Sequence, residues 1–159
     1  MSLNLIEATP ARFASLIAGE VPEGAETLAP SEIAPAAVLE MLANLSARIA
    51  KVHCPNAWLI VADGCAVGML SLVTEPAGRT ATIGYGIAAS HRSRGLASDA
   101  VAQLAALLRA DLRIDAVLAE TSPANPASQH VLRTNGFAET GRRIDPDDGE
   151  LICWRLATP

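Results

Sequence analysis

Three consecutive β-strands joined by very short turns constrain the fold of this chain more than any other feature of its sequence. The apolar run 57–62 ends at Asp63-Gly64, a dipeptide typical of a hairpin turn, and 65–74 returns as the next strand. A second turn at 75–78 leads into a third strand that runs to residue 89. Because strands joined by such short turns pair antiparallel, the sequence predicts an antiparallel sheet at the centre of the fold.

Segments with strand or helix periodicity flank these three strands on both sides. Thr9 is expected to cap the first helix, and the start of the second is left open between Ser31 and Pro35. Helices interrupt the sheet without strict alternation, which predicts one α/β (α+β) domain over 1–159 with a mixed sheet. The expected elements are a strand at 3–8, helices at 9–19, 38–49, 93–109 and 125–134, and strands at 114–119, 137–144 and 151–156, with a loop at 20–34.

The composition argues against several classes of binding partner. A net charge of −5, with only two Trp, two Phe and one Tyr, argues against nucleic acid. The sequence shows no membrane span and no basic leader, which predicts a cytoplasmic protein. Three widely spaced cysteines fit neither a disulfide framework nor a metal site, so no metal is expected. The apolar half of the composition permits a homodimer.

The third strand ends in a turn whose residues are suited to binding phosphate. Gly84 and Gly86 in the strand indicate a bulge or a close backbone approach. Unpaired N–H groups at the start of the following helix attract anions. Gly95 lets the backbone approach an anion closely, and Arg92 and Arg94 supply cations on an otherwise acidic chain.

Two blocks of sequence resemble the GNAT superfamily of N-acetyltransferases. The first is R-x-x-G-x-A, running from Arg92 to Ala97 after the strand. The second begins at Asn125-Pro126-Ala127-Ser128 and ends at Asn135-Gly136-Phe137. The resemblance is nearest to the RimJ/RimL-like acetyltransferases of ribosomal-protein N-termini. It implies a mostly antiparallel, splayed sheet flanked by helices, and the transfer of acetyl from acetyl-CoA to a primary amine.

The resemblance also implies roles for individual residues. Main-chain groups of the strand end would bind the pantetheine arm, and an N–H near Ile87 would polarise the thioester carbonyl. The helix start would hold the diphosphate, Asn125 the pantetheine amide, and Ser128 would lie near the sulfur. The implied cofactor-binding residues are Ile87, Ala88, Ala89, Arg92, Ser93, Arg94, Gly95, Leu96, Ala97, Ser98, Asn125 and Ser128.

One residue departs from the family pattern. Many family members have a tyrosine at the position of Leu132, where it protonates the departing thiolate, and leucine cannot do so. The resemblance to the RimJ/RimL-like branch therefore transfers the role of acid to Ser128.

The acceptor amine must be neutral before it attacks. At pH 7 a lysine ε-amine is neutral in roughly one molecule in a few thousand, and an α-amine in roughly one in ten. Glu120 is the first candidate for the base, ahead of Glu75 and Asp63. A solvated carboxylate with no role in catalysis and a water relay remain open alternatives.

The acceptor itself is not identified by any motif, and peptide N-termini and small-molecule amines both remain candidates. The resemblance places the walls of its site at about 20–50 and 140–152, which show no chemical signature. A second hypothesis is a catalytically silent module of the same fold that binds or senses acyl-CoA, because Leu132 replaces the tyrosine.

Overall fold

A computed structural model describes residues 2–157 of the chain as one layered α/β structure. In chain order its elements are β1 (Leu3–Glu7), α1 (Pro10–Ile17), β2 (Thr27–Leu28), α2 (Ala36–Ile49), β3 (Ala57–Ala62), β4 (Cys65–Leu72), β5 (Thr80–Ile87), α3 (Leu96–Arg109), β6 (Ala116–Thr121), α4 (Pro126–Thr134), β7 (Ala138–Asp145) and β8 (Gly149–Ala157). A short 3₁₀ turn, Ala89–His91, joins β5 to the segment before α3.

The strands form a single mixed sheet in the order β1-β3-β4-β5-β6-β8-β7, with the short β2 beside β4. Every pair along this order is antiparallel except β5 with β6, and β2 also runs parallel to β4. The predicted fold class, a mostly antiparallel sheet flanked by helices, is therefore confirmed. No helix within residues 2–157 has the length and apolar character needed to cross a membrane.

Both faces of the sheet are covered at β3 and β4, where the side chains of β3 are buried along the whole strand. Because alternate residues of a strand face opposite sides, each face contacts a different set of helices. On one face α1 and α2 pack through Phe13, Leu16 and Leu39 against Leu59, Val61 and Met69. On the other face α3 packs through Val101, Leu104 and Leu108 against Ile60, Val67 and Leu70.

The largest differences from the expected elements lie in three places, and the other expected ends differ from the structure by at most two residues. The predicted loop 20–34 contains β2, which pairs with the start of β4. The predicted start of α3 at residue 93 was three residues early, because Ser93 and Gly95 have positive φ angles of 62° and 77°, which a helix does not permit. The second helix begins at Ala36 after Pro35, whereas Ser31 bonds to a distant residue instead of capping it.

The expected bulge at Gly84 and Gly86 is wrong, and the close backbone approach at Gly86 depends on the glycine at position 68 of the neighbouring strand. The register of β4 with β5 is uninterrupted, and the irregularity lies in β3, between Ile60 and Val61. A Cβ on Gly68 would collide with the carbonyl oxygen of Gly86. Glycine at 68 therefore lets the two strands approach each other.

The two central parallel strands part halfway along their length. The last residue pair between them is Ile83 with Ala119. Beyond it β5 stays paired with β4 as far as Ile87, and β6 stays with β8 as far as Thr121. A gap therefore opens between the ends of β5 and β6, beside the turn that leads into α3. The side of the sheet that carries Gly84, Gly86 and Glu120, continuous with the face covered by α1 and α2, is called here the open face.

Candidate functional site

The turn before α3 exposes a row of backbone donors. Gly95 occupies the cap position of α3, and it has no side chain to bond the first turn. The six N–H groups from Ser93 to Ser98 find no acceptor within residues 2–157. Residues 92–95 are exposed to solvent, while Leu96 anchors the first turn in the core. Free amides at a helix start carry partial positive charge, so this segment is suited to an anion.

Two arginines flank these amides and are oriented by the backbone of the same turn. Arg92 Nε donates to the carbonyl of Ile87 at 3.0 Å, and Arg94 Nη2 donates to the carbonyl of Ser90 at 3.2 Å. Each guanidinium has further N–H donors, and both side chains are exposed. Neither arginine is paired with a carboxylate within the described residues, so their charge is available to a ligand.

The turn is tied to the loop between α1 and α2. The Ser90 N–H donates to Ser31 Oγ at 2.8 Å, and Ser31 Oγ donates to Ser90 Oγ at 2.9 Å. Ser90 Oγ also lies 2.9 Å from His91 Nδ1. His91 is thus half-buried and bonded within the turn, and the chain of contacts fixes the turn against a segment that lies 59 positions earlier in the sequence.

The end of β5 presents part of its backbone to the gap. The N–H of Ala88 donates to Val67 in β4 at 2.8 Å, and its carbonyl accepts from His91 at 2.9 Å. The N–H and the carbonyl of Ala88 therefore each form a hydrogen bond within the protein. Since N–H groups alternate in direction along an antiparallel edge, that of Ile87 points away from β4 and into the gap. A Cβ on Gly86 would meet no atom within 4 Å, so the open face is unobstructed there.

The start of α4 forms the other side of the gap. Asn125 Oδ1 accepts from the N–H of Ser128 at 3.1 Å, which makes Asn125 the N-cap of the helix, while its Nδ2 donors have no partner among residues 2–157. The Ser128 hydroxyl has no hydrogen-bond partner among residues 2–157. Leu132 is fully buried, and its hydrocarbon side chain offers no hydroxyl at that position.

Tyr85 connects β5 to α4. Its hydroxyl donates to the carbonyl of Ser128 at 3.2 Å, and burial raises the pKa of the phenol. A second link joins α4 to α3, where Asn135 Nδ2 donates to both the carbonyl and the hydroxyl oxygen of Ser98. Ser128 and Ser98 are thereby held on either side of the gap.

Glu120 lies on the open face as the first residue of β6 beyond its pairing with β5. Arg143 on β7 donates to its carboxylate through Nε and through Nη2, the latter at 2.9 Å from Oε1. The hydrogen bonds from Arg143 lower the pKa of Glu120. A carboxylate whose pKa is lowered is a weaker proton acceptor, and Glu120 as a base stays a prediction.

The two alternative bases lie elsewhere. Glu75 is in the turn before β5, at the opposite end of that strand from the gap. Asp63 lies in the turn between β3 and β4 and accepts a hydrogen bond from the N–H of Ser2 at 2.9 Å. The structure brings neither carboxylate to the gap.

Sequence reasoning missed Tyr85 as a link, Ser31 as a support of the turn, and Arg143. Alternation along a strand places Arg142 and Arg143 on opposite faces, which was readable from the sequence. Which of them faces the open side depends on the register of β7 with β8, and the sequence does not contain that information. The Ser31–Ser90 contact has no local signal at all.

Two hollows elsewhere lack the chemistry of the open gap. They have volumes of about 300 and 350 Å³ and border α1. Within the described residues, neither is lined by a lysine, arginine or histidine. An anionic ligand needs such donors, and of these three spaces only the gap beside α3 provides them.

Comparisons with a family model and with solved structures both point to acetyltransferases. The family model described as an acetyltransferase (GNAT) domain matches residues 3–138. No curated protein matches the chain. Among solved structures, RimL, a ribosomal alpha-N-protein acetyltransferase in complex with coenzyme A, has a TM-score of 0.74 at 18% identity, covering 99% of this chain and 94% of that one.

Two further structures resemble the chain. Mycobacterium smegmatis RimJ in complex with CoA-disulfide has a TM-score of 0.64 at 25% identity, covering 77% of this chain and 62% of that one. AAC(6')-Ib in complex with ribostamycin and coenzyme A has a TM-score of 0.71 at 16% identity, covering 99% and 94%. The solved structures that resemble the chain thus include an acetyltransferase of a ribosomal protein and an aminoglycoside acetyltransferase.

Proposed function

Since this chain belongs to the GNAT acetyltransferase family, we propose that it moves an acetyl group from acetyl-CoA to a primary amine, either a peptide α-amine or a small-molecule amine. The observation that carries the proposal is the turn 92–98, which combines six unpaired amides with two exposed arginines beside the gap between β5 and β6. We also propose that the protein acts as one domain in the cytoplasm.

The diphosphate of coenzyme A would lie on the turn before α3. The amides of Ser93 to Ser98 would donate to its oxygens, and Arg92 and Arg94 would neutralise its charge. The pantetheine arm would follow the edge of β5 past Ala89 and Ala88 to Ile87, with the unpaired Nδ2 of Asn125 as a donor from the opposite side. These assignments fit a ligand that enters the gap lengthwise, because donors lie at its mouth and along both walls.

The thioester supplies an activated acyl group, so the amine nitrogen forms a bond to the carbonyl carbon and the carbon–sulfur bond breaks. The N–H of Ile87 would stabilise the negative charge that develops on the carbonyl oxygen, an effect worth about two to three orders of magnitude in enzymes generally. The free hydroxyl of Ser128 would pass its proton to the departing sulfur and take one back from water, so that the serine ends the step as a neutral hydroxyl. The amine loses its own proton to Glu120 or to water.

The pairing of Glu120 with Arg143 supports an acceptor of low pKa. An alkyl amine with a pKa near 10.4 is almost entirely protonated at pH 7 and needs a strong base, whereas an α-amine near 8 does not. A carboxylate held on a guanidinium is a weak base. A peptide α-amine is therefore the better candidate, ahead of an alkyl amine.

The release of free thiol from acetyl-CoA tests this proposal. A panel of peptides with free N-termini, alkyl polyamines and aminoglycosides is expected to contain at least one acceptor that accelerates release. The double variant Arg92→Glu/Gly95→Asp should lose this activity together with coenzyme A binding, because it places two anions where the diphosphate would lie. Arg109→Glu, a charge reversal at an exposed site in the last turn of α3, is the control and should remain active. Silence of the wild-type protein across the whole panel would contradict the proposal.

A second candidate function is a silent module that binds acyl-CoA without turnover. The leucine at position 132, which has no hydroxyl where the family tyrosine stands, favours it. This candidate predicts tight binding of acetyl-CoA and no gain in thiol release with any amine.

A further inference from the structure

The open face carries a cation of its own beside the gap. Arg143 extends from the edge strand β7 across β8 to Glu120 on β6. Its Nη2 lies 2.9 Å from Glu120 Oε1 and also 3.2 Å from Asp145 Oδ2. One guanidinium nitrogen therefore binds both carboxylates, and the exposed fraction of the Arg143 side chain is 46%.

The carboxylates of Asp145 and Glu120 each have a contact besides Arg143. Asp145 Oδ1 accepts from the N–H groups of Asp147 and Asp148, each at 2.9 Å, so the hairpin turn between β7 and β8 fixes this side chain. Glu120 projects from the interior of the sheet, between β5 and β8, and lies 3.8 Å from the thiol of Cys153. Removal of the guanidinium would leave two anchored carboxylates facing the same small volume.

We propose that Arg143 determines which amines the site accepts, favouring a single α-amine over an alkyl diamine. This inference rests on the proposed function. With Arg143 present, both carboxylates are bound to its guanidinium, and a second ammonium group on the acceptor finds no free partner. Without it, the same two carboxylates attract a doubly charged amine, because opposite charges at this spacing attract and a like charge no longer repels.

The neighbouring arginine provides a matched control on the same strand. Arg142 lies 3.6 Å from Glu139 and 3.1 Å from Glu150, and 49% of its side chain is exposed. It pairs in register with Ile152, whose side chain belongs to the core on the side of α3, so Arg142 faces away from the open face. Arg142→Gln therefore removes the same charge without freeing Glu120 or Asp145.

The test compares Arg143→Gln, Arg143→Lys and Arg142→Gln with the wild-type protein, all bound to coenzyme A. Calorimetric titration with 1,4-diaminobutane should show about fivefold tighter binding by Arg143→Gln, the size expected for one exposed charge pair. Arg143→Lys, which keeps the cation, and Arg142→Gln should bind it like the wild type. The ratio of kcat/KM for the diamine to that for an amidated tetrapeptide with only an α-amine should rise by the same factor in Arg143→Gln.

The outcomes separate this inference from the proposed function. Equal diamine binding by wild type and Arg143→Gln, or an equal gain in Arg142→Gln, overturns the role of Arg143 even if acetyl transfer is active. Absence of thiol release with every amine overturns the proposed function, while tighter diamine binding confined to Arg143→Gln still supports the inference. Arg143→Ala serves as a second neutral variant, and melting curves check that each variant is folded.

Discussion

Two helices begin at the gap between β5 and β6, and their first turns are completed in opposite ways. At α4 the sequence supplies its own cap, because Asn125 accepts from Ser128 and Pro126 follows at the first helical position. At α3 the cap residue is Gly95, and the amides that follow have no acceptor in the described part of the chain. The first arrangement satisfies its own donors, whereas the second leaves them to solvent or to a ligand. The difference supports the proposal that the start of α3 binds the diphosphate.

The start of α1 is also capped by a side chain of the protein. Thr9 accepts from the N–H of Arg12 at 3.2 Å, with Pro10 at the first position of α1. The chain thus uses an oxygen-bearing cap at α1 and α4, and glycine in the left-handed region at α3. Backbone donors left unpaired in this way cost free energy unless solvent or a ligand binds them.

The largest expected effect comes from adding a negative charge at the uncapped helix start. Gly95→Asp should weaken coenzyme A binding about 100-fold, because a carboxylate there repels the diphosphate and occupies the amides. Gly95→Asn is the matched control, since asparagine tolerates the same left-handed backbone without the charge and should bind within a few-fold of wild type. Equal binding constants for the two variants, measured by calorimetry, would refute this role of the α3 start.

Substitutions of Asn125 separate its role as a cap from its role toward the ligand. Asn125→Ala should lower the free energy of unfolding by about 1 kcal/mol and weaken coenzyme A binding about tenfold. Asn125→Asp keeps an oxygen cap and should keep the stability, but it loses the Nδ2 donors and should bind as weakly as the alanine variant. Thr9→Ala, with a similar loss of stability and unchanged binding, is the control. Full binding by Asn125→Asp would assign Asn125 to capping alone.

Asp111 accepts hydrogen bonds from the backbone N–H and the guanidinium of Arg113, so its carboxylate is bonded within the protein. We expect this pair to stabilise the fold without a ligand. Hydrogen bonds from Arg113 lower the pKa of Asp111 to about 2, so its stabilising effect is complete above its unfolded value near 4 and disappears as the pH falls to 2. Asp111→Asn should lower the melting temperature by about 2–4 °C at pH 7 and by much less at pH 2. Asp115→Asn, at an exposed pair with Arg79, should have a smaller effect. A pH-independent difference between Asp111→Asn and wild type would contradict this account.

The smallest effect is expected at the link between β5 and α4. Tyr85→Phe removes one hydrogen bond to the Ser128 carbonyl and should cost about 0.5–1 kcal/mol of stability. If this bond positions Ser128, kcat for acetyl transfer should fall by a few-fold while KM for acetyl-CoA stays constant. An unchanged kcat would mean that Tyr85 contributes to the stability of the fold and does not position Ser128.

The sequence predicted the strands and helices well where local signals agree, and less well where distant contacts decide. Asp63-Gly64 and the Thr9-Pro10 pair are local signals, and both elements formed as expected. The start of α3 was placed early because the positive φ of Ser93 is not encoded by a residue that prefers it. The pairing of β2 depends on its contact with β4 across the fold, and no nearby residue indicates it.

In the candidate site, too, the sequence predicted what local signals determine and missed what distant contacts determine. The phosphate-binding turn could be found from Arg92, Arg94 and Gly95, because all its parts lie within a few residues of each other. Glu120 was found as a carboxylate at a strand end, but its pairing with Arg143 spans 23 positions and required the register of three strands. A sequence shows which groups are present, and only the fold shows which of them are already bound.

A titration with coenzyme A, followed through the chemical shifts of backbone amides, decides whether the turn before α3 holds the diphosphate. We expect the largest changes in the ¹⁵N–¹H spectrum at Ser93 to Ser98, with a smaller change at Ile87, and much weaker changes in Gly95→Asp at the same coenzyme A concentration. Unchanged signals from these amides at saturating coenzyme A, together with shifts among the residues lining the hollows beside α1, would contradict it.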